Sequence, residues 1–309
     1  MNGLLTVTPS PHIRSPRTTR SIMRDVLIAL IPVVIVAVVY FGWRALLLIC
    51  VSGAVSCLCE FVWEKAFKKD ITISDLSSVV TGVILALNMP AGMPVWELIF
   101  GDICAVIVVK MLFGGLGRNF VNPALAGRII LFVSFTADMT NYTVPSFAPD
   151  ALSSATPLAL EGSLTWADFP SLLLGLHGGV IGEVCSLAII AGCVYLCVRG
   201  VIKPIIPACF VGAELLFSWL FGAANPVLGV FSGGLLFGAV FMATDYVTSP
   251  LTNWGKVIFG VGCGFLTAAM RAFAGSNGAV SFAILIMNLL VPYINDITRR
   301  KAFGGVKAK

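Results

Sequence analysis

Residues 24–42 read RDVLIALIPVVIVAVVYFG, and this apolar run decides the class of fold. After Asp25 it contains no charged residue, and it is about as long as a helix that crosses the roughly 30 Å hydrocarbon core of a bilayer. No small-residue cleavage site follows the arginines that precede it, so we predict a retained membrane span rather than a signal peptide. A second apolar run, 44–64, begins almost at once.

The composition of the whole chain extends this interpretation. Of 309 residues, 58% are hydrophobic and 11% are charged, and the mean hydropathy is +0.97. A soluble domain of this length needs a charged surface that this composition does not supply. The net charge of +5 does not indicate nucleic-acid binding, because the basic residues lie at the chain ends and in short loops. We predict an all-α polytopic membrane protein.

Apolar runs of sufficient length predict about ten membrane spans. We place them at 24–42, 44–64, 73–89, 96–113, 121–136, 178–198, 203–222, 227–243, 256–273 and 279–297. The third and the fifth are short and are bounded by Asn, Gly and Pro. Discontinuous helices that line an internal site have this character.

The distribution of basic residues predicts the orientation, since cytoplasmic loops carry an excess of Lys and Arg. With the N-terminus inside, only Arg44 and Arg271 fall near the outer face, while Lys110 and Arg128 lie within spans. The other sixteen basic residues lie on the cytoplasmic side: Arg14, Arg17, Arg20, Arg24, Lys65, Lys68, Lys69, Arg118, Arg199, Lys203, Lys256, Arg299, Arg300, Lys301, Lys307 and Lys309. We therefore expect both termini in the cytoplasm.

Ten spans divide into two halves of five with opposite topology, and we expect an inverted repeat with the functional cleft between its halves. Local echoes favour it: Asn122-Pro123-Ala124-Leu125 opens the fifth span and Asn277-Gly278-Ala279-Val280 opens the tenth. The predicted organisation is a basic cytoplasmic tail, a first half, an extracytoplasmic loop, a second half and a second basic tail, at residues 1–23, 24–136, 137–177, 178–297 and 298–309.

The outer loop carries the most informative chemistry, in the run DALSSATPL at 150–158. No Lys or Arg occurs between Arg128 and Arg199. Pro157 suits the first position of a helix and Thr156 suits the cap before it, so a phosphate on Thr156 would face free backbone N–H groups at a positive helix end. An ordinary cap on a surface helix accounts for the same residues, and the chemistry alone leaves both interpretations open.

A resemblance to a known family favours the first. Asp150-Ala151-Leu152-Ser153-Ser154-Ala155-Thr156 looks like the D-x-x-[ST]-[GS]-A-T signature at which a flavin transferase attaches the FMN part of FAD to the final Thr. The stretches SPHIRSP at 10–16, FGGLGRNFVNPA at 113–124 and FMATDYVTSP at 241–250 are similar to the same family. From about residue 8 to residue 300 the chain resembles the D-type subunits of the Rnf ion-translocating ferredoxin:NAD⁺ oxidoreductase, which are related to the B-type subunits of the sodium-pumping NADH:quinone reductase. The departure is Ser154, where Gly is common.

The resemblance implies a multi-pass protein of the bacterial cytoplasmic membrane that carries FMN esterified to Thr156 on the outer face, within an attachment motif that includes Asp150, Ser153, Ser154 and Ala155. The protein would pass electrons inside a complex that drives Na⁺ or H⁺ outward, with no catalytic residue of its own. The implied partners are other membrane and peripheral subunits, among them a second FMN-bearing protein and iron–sulfur proteins, and a flavin transferase for maturation. A second, non-covalent flavin such as riboflavin is a further expectation.

Other residues are candidates on weaker grounds. Arg118, Asn119 and Asn122 lie in a Gly-rich turn that could hold a flavin or an anion, although a sharp helix connection has the same composition. Asp102, Glu214 and Asp245 are ionisable groups in or beside spans, where charge is costly, and are candidates for an ion path. Pairing of the two deeper acids, Asp102 and Glu214, with Lys110 or Arg128 would explain them equally well.

The nine cysteines lack the paired spacing of zinc or iron–sulfur sites, and with only two histidines we predict no protein-bound metal or haem. Two rival functions stay open from the residues alone. Ten helices in inverted halves also suit a channel or facilitator for a small neutral solute, and a structural scaffold would leave Thr156 unmodified.

Overall fold

A computed structural model describes residues 17–143, 166–275 and 278–299. Every regular element in these ranges is helical, and the one extended contact within them is an isolated bridge between Thr143 and Gly179. The predicted all-α class is confirmed. The attachment motif at 150–156 lies outside the described residues.

The N-terminal part contains six α-helices. They are α1 (Thr19–Phe41), α2 (Trp43–Ala66), α3 (Ser77–Leu87), α4 (Val95–Ile103), α5 (Pro123–Ser134) and α6 (Thr136–Met139). A 3₁₀ turn (Ile73–Asp75) precedes α3, and α4 continues without a break into a π-helix (Cys104–Met111). Asn122 accepts hydrogen bonds from the N–H groups of Ala124 and Leu125 and so caps α5, which begins at Pro123.

The C-terminal part contains seven further α-helices among the described residues. They are α7 (Phe169–Leu174), α8 (Ser186–Val198), α9 (Ile205–Leu220), α10 (Pro226–Val230), α11 (Leu235–Phe237), α12 (Asn253–Ala274) and α13 (Ala279–Thr298). A 3₁₀ turn (Trp166–Asp168) leads into α7, and a second π-helix (Gly238–Met242) follows α11.

Four of the described helices are long and apolar enough to cross a membrane by themselves: α1, α2, α12 and α13. The third and fifth predicted spans are short helices, as their boundaries indicated. The continuous sixth and eighth spans were wrong predictions. Residues 178–185 form no helix before α8, and 227–243 is divided into α10, α11 and a π-helix. Gly233 and Gly234 have positive φ values at the second break, a conformation that glycine adopts readily, and this Gly-Gly pair was the available signal that the span prediction did not use.

Small residues let pairs of helices approach closely. On α12, a Cβ added to Gly264 would lie 2.6 Å from the Phe210 carbonyl oxygen of α9. On α3, a Cβ added to Gly82 would lie 2.5 Å from the Ser52 carbonyl oxygen of α2. The pairs α9–α12 and α2–α3 therefore meet backbone to backbone, which brings side chains on either side of each contact within hydrogen-bond distance.

Gly264→Ala should lower the free energy of unfolding by about 1–3 kcal/mol, because the added methyl group meets backbone atoms that cannot move aside. The matched control is Gly212→Ala on α9, where no atom of the described chain lies within 4 Å of an added Cβ. That change should be neutral or stabilising by up to about 1 kcal/mol. Thermal unfolding of both purified variants in detergent measures the difference, and equal melting temperatures would contradict the close packing.

Candidate functional site

Two loops that interrupt the helices meet inside the molecule. The Gly182 N–H donates to the Leu87 carbonyl at 2.6 Å, and the Ile181 N–H donates to the Met89 carbonyl at 3.0 Å. The loop before α8 thus completes the backbone hydrogen bonds of the loop after α3. Irregular backbone at membrane depth is tolerated where protein buries it in this way, and such places are where internal sites are built.

A cavity of about 80 Å³ opens between α1, α3, the start of α5 and residues 241–247. Its wall is mostly apolar, with contributions from Val26, Ile84 and Phe241. Its polar lining residues are Ser77, Thr81, Lys110, Asn119, Asn122, Asp245 and Tyr246. A mostly apolar wall with a few placed polar groups is the composition of ligand-binding sites.

Of the three candidates in the Gly-rich turn, Asn119 and Asn122 line this cavity. Arg118 does not line it, and its side chain is exposed. The Asn122 side-chain amide donates to the Met242 carbonyl at 3.2 Å, which joins the start of α5 to the end of the second π-helix. The N–H groups of Gly114 and Gly115 donate to the carbonyls of Met111 and Lys110, just before the turn. The turn therefore acts as a sharp connection, and the asparagines that follow it face the cavity.

Asp245 lies in the loop after the second π-helix, also on the cavity wall. Burial raises the pKa of its carboxyl, while hydrogen bonds from the Thr248 hydroxyl and from the backbone N–H groups of residues 246–248 oppose the rise. The Thr248 hydroxyl donates to it at 3.0 Å. Asp245 is the one acid among the three candidates for an ion path that contacts the cavity.

A buried ion pair lies beside the cavity, which Lys110 lines. The Lys110 ammonium group, 1% exposed, lies 3.0 Å from the Glu60 carboxylate of α2, and it donates to the hydroxyls of Ser77 at 2.6 Å and Ser78 at 2.9 Å. Its three N–H donors are all used, which is how a dry interior accommodates a lysine. The pair ties α2 and the first π-helix to the start of α3.

A second buried pair lies in the C-terminal part. Arg271 of α12 contacts the Glu214 carboxylate of α9 at 2.7 Å and also donates to the carbonyls of Gly229 at 2.9 Å and Ser232 at 3.0 Å. Glu214 is fully buried, and the Ser218 hydroxyl donates to it at 3.1 Å. Its charge is neutralised by Arg271, which the pattern of basic residues placed near the outer face and which was not among the predicted partners.

Asp102 of α4 is fully buried in a different environment. The hydroxyls of Ser52 and Ser56, both on α2, lie 2.7 Å and 3.0 Å from its Oδ1 atom. No basic side chain pairs with it in the part of the chain that the structure describes. Lys110 and Arg128, which the sequence offered as partners, bind Glu60 and Asn88 instead.

Sequence reasoning missed Glu60, Arg271 and Asn88. Asn88 follows α3 and accepts a hydrogen bond from Arg128 at 2.7 Å, so it satisfies a buried cation without a charge. The available signal was the number of basic residues inside spans, since each requires a buried acceptor. Which acceptor serves which cation depends on helix packing, and spacing along one chain does not show it.

The discontinuous helices, the buried ion pairs and the cavity define a class: a polytopic membrane protein with an internal cavity lined by polar and charged side chains. Within that class the chain belongs to the NQR2, RnfD, RnfE family, whose sequence model matches residues 6–304.

Curated relatives match along nearly their whole length. The chain is 42% identical to the D subunit of the Na⁺-translocating ferredoxin:NAD⁺ oxidoreductase complex of Acetobacterium woodii, with 100% of this chain and 98% of that protein covered. It is 33% identical to the D subunit of the proton-translocating ferredoxin:NAD⁺ oxidoreductase complex of Clostridium ljungdahlii, with 98% and 97% covered. It is 34% identical to the D subunit of the ion-translocating oxidoreductase complex of Actinobacillus succinogenes, with 96% and 97% covered.

Lys110→Met should lower the free energy of unfolding by about 3–5 kcal/mol, because it leaves the Glu60 carboxylate buried without its cation. Removing both charges in a Lys110→Met, Glu60→Met double variant should recover much of the loss. The control is Lys203→Met, since Lys203 is exposed and donates to Asn253 at 3.2 Å; it should stay within about 0.5 kcal/mol of the parent. If Lys110→Met and Lys203→Met have the same melting temperature, the Glu60 and Lys110 pair does not stabilise the packing of these helices.

Proposed function

We propose that this protein is the membrane-embedded, flavin-carrying D-type component of an Rnf-type complex, which couples electron transfer from ferredoxin to NAD⁺ to the outward movement of Na⁺ or H⁺. The observation that carries the proposal is the 42% identity over the whole chain to a protein of that name. The same match disfavours a facilitator for a neutral solute. Its partners are then the other subunits of the complex, including a second FMN-bearing protein and iron–sulfur proteins.

The covalent flavin is assigned to Thr156 by the attachment signature that ends there. When bound, FMN supplies one- and two-electron transfer that no protein side chain here provides. In this assignment Ser153, Ser154 and Ala155 keep the acceptor hydroxyl accessible to the flavin transferase, and Asp150 completes the signature that the transferase reads.

The cavity beside Asn119 and Asn122 is the site that we assign to a second, non-covalent flavin. Its apolar wall suits a flat aromatic ring system, and its asparagines and Tyr246 supply polar groups at the edge. Asn122 is held rigid by its contacts with the start of α5 and with Met242, so it would orient a ligand without having to be ordered by it.

We further propose ten spans in two inverted halves, with both termini in the cytoplasm and the Thr156 loop outside. The two ion pairs support this arrangement. Glu60 and Lys110 join the second and fourth spans and contact the start of the third. Glu214 and Arg271 join the seventh and ninth and contact the carbonyls of the eighth. Corresponding spans of the two halves thus carry corresponding pairs, fifty and fifty-seven residues apart along the chain.

Among the acids proposed for an ion path, the surroundings distinguish the roles. Glu214 is neutralised by Arg271 and acts as part of a structural pair. Asp245 borders the cavity, where a change in the charge of a bound flavin would be felt by its carboxyl. Asp102 has no ionic partner among the described residues, so no cation there would balance a negative charge on its carboxyl group.

Thr156→Val should abolish covalent flavin, because valine has no hydroxyl to form the phosphoester. The measurement is in-gel flavin fluorescence after denaturing electrophoresis of protein produced together with a flavin transferase. Ser154→Gly is the matched control, since the signature accepts Gly at that position, and it should keep the fluorescent band. A parent chain without fluorescence, beside an acceptor protein that the same transferase does label, would contradict the attachment.

Asn119→Leu should weaken binding of the second flavin by about tenfold or more, which corresponds to about 1.4 kcal/mol. The readout is flavin released on denaturation of a Thr156→Val background, where no covalent flavin contributes. Arg118→Gln changes the neighbouring exposed residue outside the cavity and should leave the yield unchanged. If no flavin is released from the background protein, the second site is refuted while the assignment of Thr156 stands.

A further inference from the structure

The short oxygen–oxygen contacts around Asp102 can all be hydrogen bonds only if each of them contains a proton. Ser52 Oγ lies 2.7 Å from Asp102 Oδ1 and also 2.7 Å from the Gly82 carbonyl oxygen. A serine hydroxyl donates a single proton. If it donates to Gly82, the short contact with Asp102 needs a proton from Asp102 itself. If it donates to an ionised Asp102, two oxygen atoms face each other at 2.7 Å near Gly82 with no proton between them.

We propose that Asp102 is a buried proton-binding site, a neutral carboxylic acid that donates to Ser52, which in turn donates to the Gly82 carbonyl. Every short oxygen–oxygen contact then contains a proton, and Ser56 donates its own to the same carboxyl oxygen. The proton site follows from this geometry alone, whereas its use in ion movement rests on the proposed function.

The surroundings of the carboxyl agree with the neutral form. Asp102, Ser52 and Ser56 are each 0% exposed, and Asp102 Oδ2 has no hydrogen-bond partner among the described residues. An ionised carboxylate with one bare oxygen and no cation is strongly disfavoured in such a place. The distances also favour a proton over a metal cation, because oxygens that ligate an ion stand farther apart than hydrogen-bonded ones. The close approach of Gly82 to the Ser52 backbone holds α3 against α2 at this point.

The neighbouring ionisable groups do not supply a counter-charge. From α2, the Cys59 thiol interacts electrostatically with Asp102. The Glu60 and Lys110 pair lies two helical turns farther along, and its two charges neutralise each other. Arg128 of α5 donates a hydrogen bond to Asn88. Helix α3 contributes no ionisable residue. Release of the proton would therefore leave a bare charge, so it requires either entry of another cation or separation of α3 from α2.

Infrared difference spectroscopy of the purified full-length protein tests the proposal. Subtracting the spectrum of Asp102→Asn from that of the parent at neutral pH should show loss of a carboxylic C=O stretching band. Asp25→Asn is the matched control: Asp25 is buried but ion-paired with Arg199 at 3.3 Å, so its replacement should remove carboxylate bands instead. Loss of carboxylate bands in Asp102→Asn, which a Na⁺-loaded site would also give, overturns the proposal.

Ser52→Ala keeps the test decisive if Asp102→Asn does not fold. It removes the acceptor of the Asp102 proton, so the carboxylic band should shift in frequency; a spectrum without any such change overturns the proposal. Neither measurement involves flavin, the other proteins of the complex or turnover. A failure here is therefore distinct from a failure of the flavin and complex assignments, which the Thr156 and Asn119 variants test.

Discussion

The requirement to neutralise charge inside a dry interior organises this protein. A buried cation needs acceptors on several helices at once, and each one therefore holds those helices together. Lys110 joins α2, α3 and the first π-helix, and Arg271 joins α9, α12 and the end of α10. Lipid offers little hydrophobic drive for helices to associate, so polar contacts and close glycine packing carry more of the assembly than in a soluble bundle.

Breaks in the helices and the cavity have a common origin. A helix that stops inside the membrane leaves backbone groups that must find partners. The loop before α8 meets the loop after α3, and Asn122 closes the gap between α5 and Met242. Those arrangements bring turns, asparagines and an acid to one region between helices that are distant in sequence. The cavity lies beside Asn122, between α1, α3 and the start of α5, and it combines apolar walls with a few polar groups.

Much of the fold could be predicted from hydropathy, because a long apolar run in a membrane forms a helix. Helices α1, α2, α12 and α13 correspond to strong runs of this kind. Hydropathy did not reveal the breaks at 178–185 and 231–234, because their glycines lie within long hydrophobic stretches and the partners that satisfy the broken backbone come from other segments. At the candidate site, Asn119 and Asn122 were recognised from their sequence context and do line the cavity. The pairing of Lys110 with Glu60 depends on the register of two helices, which one sequence does not specify.

That register is recorded in the π-helix Cys104–Met111. Ser52 contacts Asp102 and Glu60 contacts Lys110, and each pair is separated by fifty residues of chain. These two contacts fix the register of α2 against the fourth span. A π-helix holds more residues per turn than an α-helix, and it commonly marks one extra residue taken into an existing helix. Deleting one residue there would restore an α-helix, and the seven residues that remain between them would leave the lysine within about 20° of the aspartate around the helix axis. With eight residues between them, an unbroken α-helix would turn Lys110 about 80° away from Asp102, and the smaller rotation per residue of the π-helix reduces that angle. The π-helix therefore helps one span to present both side chains to α2.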